Sequence, residues 1–130
     1  MVYRKRKVKR KNTPEHYIQN SIINALFCNR CWVDRANSGV VETKSGSYFR
    51  GMKKGTPDLI GYRFKDNQIF FIEVKAPNGR IRPAQMAYHR DLMHRHVIHG
   101  IARSIDDALK IVNNGLVGYG YPDTKEKAWL

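Results

Sequence analysis

The chain is expected to fold as a mixed α/β layer, with helices flanking a central sheet. Three observations predict this. Segments with helical spacing and recognisable caps open and close the sequence, and apolar runs of strand length lie between them. In order along the chain they give a helix, three or four strands, a helix, a strand and a helix.

Residues 1–12 hold Arg4, Lys5, Arg6, Lys7, Lys9, Arg10 and Lys11 without apolar periodicity, the pattern of a flexible basic arm. Such an arm either binds phosphates or merely solubilises. Thr13-Pro14-Glu15 then opens a helix, with Thr13 as N-cap and proline in the first turn. Ile18, Ile22, Ala25 and Leu26 form its apolar stripe. Residues 31–37 and about 40–50 are expected as two strands, the second with a loose tip at Lys44-Ser45-Gly46-Ser47. Gly51-Met52-Lys53-Lys54-Gly55 is a basic loop between glycines. Two apolar strands follow, Thr56-Pro57-Asp58-Leu59-Ile60 and Ile69 to Lys75, and Ala76-Pro77-Asn78-Gly79-Arg80 turns the chain. A helix starts at Pro83 with Gln85, Tyr88 and Leu92 on one face, and a short strand lies near 97–103. Ser104 caps a last helix bearing Ile105, Ala108, Leu109 and Val112, with Asp107 at the capping-box position. The Gly- and Tyr-rich end matches no element. The folded domain is therefore expected over 13–115, with 116–130 as a tail.

With 130 residues the chain makes one domain of modest core. Its 24 Lys and Arg against 11 Asp and Glu give a net charge of +13, which favours a polyanionic partner, most often nucleic acid. No long apolar span or basic amphipathic helix points to a membrane, and no apolar stretch follows the basic arm as in a signal peptide. An intracellular location is expected. Cys28-Asn29-Arg30-Cys31 is either half a zinc site, with His94, His96 or His99 as remote partners, or two reduced thiols near a helix end.

Asp58, Glu73 and Lys75 carry the most information. They are ionisable groups in segments apolar enough to be buried, and a buried charge is costly unless paired or bound to metal. Lys65-Asp66-Asn67-Gln68 suits a two-residue hairpin turn centred on Asp66-Asn67. Counting back from a Lys65–Gln68 pair sets Asp58 opposite Lys75, on the face it shares with Glu73, at a Cβ separation of roughly 5 Å. A slip of one residue would turn Asp58 away. Asp58 and Glu73 suit Mg²⁺, with Mn²⁺ as a substitute, since these cations take oxygen ligands. Lys75 alternatively forms a plain salt bridge to Asp58. Glu15 alternatively complements its helix dipole, and Gln85 is alternatively a surface residue of a first helical turn.

The ordered residues resemble one family. They comprise Glu15 in an opening helix, Gly55-Thr56-Pro57-Asp58-Leu59-Ile60, Phe71-Ile72-Glu73-Val74-Lys75-Ala76, Gly79-Arg80, Arg82-Pro83-Ala84-Gln85 and Ser104-Ile105-Asp106-Asp107-Ala108. This set, spanning about 13–112, is similar to the VRR-NUC domain, the virus-type replication-repair branch of the PD-(D/E)XK nucleases. The resemblance implies a restriction-endonuclease-like core and the stand-alone viral or phage type, acting in the host cytoplasm if viral. It implies Asp58, Glu73 and the Val74 backbone carbonyl as metal ligands, with Glu15 as a further acid at their edge. Lys75 would act at the attacking water, and Gln85 as a polar positioning residue. Stand-alone members resemble Holliday-junction resolvases, so a homodimer is expected. Tyr88 is given no chemistry, and 38–50 carries no family signature.

Arg50, Lys53 and Lys54 precede Asp58, while Arg80 and Arg82 follow Lys75, so both loops could grip DNA phosphates beside the cut. The leading expectation is a Mg²⁺- or Mn²⁺-dependent DNA endonuclease acting on branched or distorted DNA. The alternatives are a restriction-type enzyme that reads sequence and a DNA-binding module that has lost its chemistry.

Overall fold

The computed structural model describes residues 13–36 and 40–124. The basic arm at 1–12 lies outside the described residues. Helix α1 (Pro14–Cys28) starts as expected, because Thr13 Oγ1 accepts from His16 N–H at 3.1 Å. Its stripe buries Ile22 and Leu26 completely. Strand β1 (Cys31–Arg35) follows.

The single strand expected at 40–50 is instead a hairpin, β2 (Val40–Glu42) and β3 (Tyr48–Arg50), paired with itself and separate from the main sheet. Local chemistry explains the break. Thr43 N–H donates to Ser47 O at 2.7 Å, the hydroxyls of Thr43, Ser45 and Ser47 bond one another, and Gly46 takes a φ of 89°. These short side chains favour a turn over a continuous ladder.

Strands β4 (Leu59–Arg63) and β5 (Ile69–Val74) form the expected antiparallel pair, but two residues away from the expected register. Leu59 pairs with Ile72 and Tyr62 with Ile69. The connection runs over four residues, Phe64 to Asn67, with Asn67 in the left-handed region at φ 60° and its N–H on Arg63 O at 2.8 Å. Asp66 drives the longer turn, since its carboxylate accepts from Gln68 N–H at 3.1 Å and pairs with Arg63. Extending the ladder sets Asp58 opposite Glu73, not Lys75. A shift of two keeps every side chain on its face, so the cluster survives.

Helix α2 (Pro83–His94), strand β6 (Ile98–Ala102) and helix α3 (Ile105–Asn114) fall where expected. Ser104 Oγ accepts from Asp107 N–H at 3.1 Å, and Gly115 ends α3 at φ 62°. Strand β7 (Val117–Tyr119) has no counterpart in the expected order, and with Tyr121 buried the packed domain continues beyond residue 115. Three residues around a glycine at φ 88° offer too little pattern to recognise.

The main sheet has the order β1-β4-β5-β6-β7, antiparallel from β1 to β5 and parallel from β5 to β7. Alternation along β5 divides its side chains. Phe70, Ile72 and Val74 enter the apolar core under α1 and α3, together with Leu26, Leu59 and Ile111. Phe71 and Glu73 face the α2 side, where Tyr88 packs on Phe71 at 6.0 Å between ring centroids. On β1 and β4, Trp32 and Tyr62 remain exposed and stack at 5.9 Å. Among the described residues no helix is long and apolar enough to cross a membrane.

Gly61 lets β1, β4 and β5 close up. A Cβ there would meet Trp32 O at 2.1 Å and Phe70 Cζ at 2.7 Å. Gly61→Ala should therefore destabilise by about 2 kcal/mol through overpacking, read as a lower urea midpoint. An unchanged midpoint would contradict this close approach.

Candidate active site

The site forms where β4 and β5 cease to pair. Asp58 precedes β4 and is half-buried, and its Oδ2 accepts the Val74 N–H at 2.8 Å. Its own carbonyl accepts from Ala36 N–H at 2.9 Å, which ties the acid to the end of β1. Glu73 is 2% exposed. Its Oε2 accepts from Gln85 Nε2 at 3.0 Å and lies 3.8 Å from Lys75 Nζ. Lys75 is also buried, with its N–H on Ala102 O at 3.1 Å. Gln85 works at both ends, since its Oε1 also accepts the Arg82 N–H at 2.8 Å and so caps α2.

Glu73 Oε1 is buried and has no hydrogen-bond partner. Burial pushes the Glu73 carboxyl up to about 9, helped by the charge and hydrogen bond of Asp58, with Lys75 opposing and Glu15 adding to the rise. Burial also raises Asp58, against the Val74 N–H, the bond to Glu73 and Lys75. At neutral pH the pair thus holds a proton that a cation would displace. An orphaned carboxylate oxygen beside a second acid is a donor set for a hard cation. Among the described residues no three His, Cys, Asp or Glu side chains form a metal-holding group. A cation here would rest on Asp58 and Glu73, with the Val74 carbonyl and water completing its shell. Cys28 is exposed and Cys31 buried, and both are free.

Of the expected site residues, the structure brings Asp58, Glu73, Lys75 and Gln85 together. Glu15 is half-buried in the first turn of α1, near enough to act on the charge of Glu73. Lys53, Lys54, Arg80 and Arg82 are exposed, and the side chain of Arg50 lies outside the described residues. Gly55 joins the two basic loops. At φ 92° it lies so close to the start of α2 that a Cβ would stand 2.3 Å from Ala84 O.

Arg103 escaped the sequence reading. Its Nη1 donates to Ala76 O at 2.6 Å and Gly79 O at 3.0 Å, and so clamps the turn that follows Lys75. Asp107 Oδ2 in turn accepts the Arg103 N–H at 2.9 Å. A lone arginine between a strand and a capped helix carries no local pattern, and only the fold shows its target. Tyr121 was missed likewise. Tyr121 is buried, and burial, then the charges of Glu73 and Asp58, raise its phenol pKa.

A buried and a half-buried acid at the end of an antiparallel pair, with a lysine two residues on, define a nuclease-type domain on a mixed α/β sheet. The VRR-NUC domain model matches residues 5–106, and the chain belongs to that family. A solved structure described as a VRR-NUC domain is similar over 80% of this chain and 99% of its own, at 21% identity and a TM-score of 0.59. That likeness concerns the fold. No curated protein matches the chain.

Two outcomes follow. Because Glu73 binds its proton more tightly folded than unfolded, the metal-free protein should lose stability as pH rises from about 5 towards about 9. Melting in chelator should show that slope, and Glu73→Gln should flatten it; a wild type stabilised by rising pH would contradict the assignment. Arg103→Ala should cost about 2 kcal/mol and speed amide exchange at Gly79, whose N–H bonds Ala76 O.

Proposed function

We propose that the chain is a divalent-metal-dependent DNA endonuclease that hydrolyses phosphodiester bonds and prefers branched or distorted DNA. The unpartnered Oε1 of Glu73, buried beside Asp58, is the observation that carries this reading. A bound Mg²⁺ or Mn²⁺ would supply Lewis acidity toward the scissile phosphate and activate water.

The chain's own groups do the rest. Asp58 and Glu73 hold the cation, and the Val74 N–H fixes the Asp58 carboxylate in place. Gln85 fixes Glu73 Oε2 and leaves Oε1 free for a ligand. The ammonium of Lys75 stands beside the pair and offers positive charge where the attacking water and the phosphate become more negative. Lys53, Lys54, Arg80 and Arg82, brought to one end of α2, suit phosphates on either side of the cut. Glu15 modulates the charge of the pair from its edge. Preference for DNA shape over sequence, and the homodimer, rest on the family resemblance and on the two-fold symmetry that paired cuts in a junction require.

Cleavage of a panel of junction, flap and duplex DNA with Mg²⁺ or Mn²⁺ tests the reading. Wild type should nick a branched substrate, and Asp58→Ala and Lys75→Ala should each lose at least about 100-fold. Added cation should also raise the melting temperature of wild type but not of Asp58→Ala. Metal-independent binding without nicking of any substrate would leave a binding module instead. Cuts at one sequence in plain duplex would favour a restriction-type enzyme, and a monomer in light scattering would remove the dimer.

A further inference from the structure

One titratable chain takes no part in the site described so far. His89 of α2 and His99 of β6 are buried against each other, and His89 also meets Asp123 beyond β7. Proton positions along this chain follow from its acceptors. His99 Nδ1 lies 2.7 Å from Val97 O, and a carbonyl only accepts, so that nitrogen carries a hydrogen. His99 Nε2 is then the acceptor in a neutral ring. It lies 2.9 Å from His89 Nδ1, which must therefore donate. A neutral His89 would then present a bare Nε2 to Asp123 Oδ1 at 2.8 Å, lone pair against lone pair.

One more proton, on His89, turns every contact in the chain into a hydrogen bond. Burial draws the His89 pKa down, and the Asp123 bond and charge oppose it, while Arg90 adds a like charge. Contact chemistry decides between them. Without the proton a charge-assisted bond becomes a contact between two acceptors, one of them fully buried. The Tyr121 ring lies flat on His89 at 3.8 Å between centroids and 8° between planes, a favourable seat for a cationic imidazole.

This chain lies one helical turn from Gln85, the residue that holds Glu73. It also fixes the segment after β7, which carries the buried Tyr121 against His89. We propose that His89 is a positioning residue of the carboxylate pair: its proton bolts α2 to the segment Gly120–Thr124, keeping Gln85 and Tyr121 in place. Only the activity arm of the test rests on the nuclease reading.

Asp123→Asn separates this from simple packing. Its amide can donate to a neutral His89 Nε2, so the segment should stay docked without the extra proton. In the full chain, amide exchange at Tyr121 and Thr124, whose N–H groups bond Gly118 O and Tyr121 O, reports docking. In wild type, protection corrected for intrinsic exchange should fall by up to about tenfold per pH unit as rising pH strips the proton from His89. Asp123→Asn should hold its protection, and Asp123→Ala should lack it throughout. Protection in wild type that is flat or rises with pH would overturn the proposal, as would its loss in Asp123→Asn. On a cleaved substrate, kcat of wild type should fall at lower pH than kcat of Asp123→Asn; coincident profiles would also overturn it. Absence of cleavage by either chain would remove the nuclease reading, and the exchange result would still decide this one.

Discussion

The N–H of Val74, donated to Asp58 Oδ2, is the bond on which the site is built. Strand β4 begins only at Leu59, and at the level of Val74 the N–H bonds a side-chain oxygen instead of a ladder carbonyl. A buried N–H needs a partner, and the Asp58 carboxylate takes the place of the missing ladder bond. That substitution brings an acid into contact with Glu73 at the last rung of a hairpin. Geometry that would otherwise be a frayed strand end becomes a rigid seat for two oxygens.

The second constraint is electrical. Glu73 is buried almost completely, and Gln85 satisfies only one of its oxygens. Folding holds this group in place through apolar packing on the opposite face, where Phe70, Ile72 and Val74 lie. Gly55 and Arg103 extend the same logic outward. One allows the loop before Asp58 to touch α2, and the other clamps the turn after Lys75. Both chain segments entering the site are therefore anchored independently of the acids.

Much of this was legible in the sequence because it depends on short-range chemistry. Helix starts at Thr13 and Ser104 followed from side-chain caps, and Asp58, Glu73 and Lys75 stood out as charges in apolar runs. The hairpin register was misjudged by two because Asp66 can cap a longer turn as readily as occupy a tight one. Period two forgave the error. Strand β7 and the reach of Arg103 depend on contacts between distant segments. No local pattern announces them. His99 drew notice only as a possible zinc partner, whereas its partner is His89, ten residues away.

The parity of β5 has a bearing on how such a chain diverges. The side chains of 70, 72 and 74 enter the core, while those of 71, 73 and 75 lie on the opposite face, which carries the acid and the ammonium of the site. Drift in one register can therefore proceed without penalty in the other, so descendants can share a scaffold while their reactive faces become unrecognisable to each other.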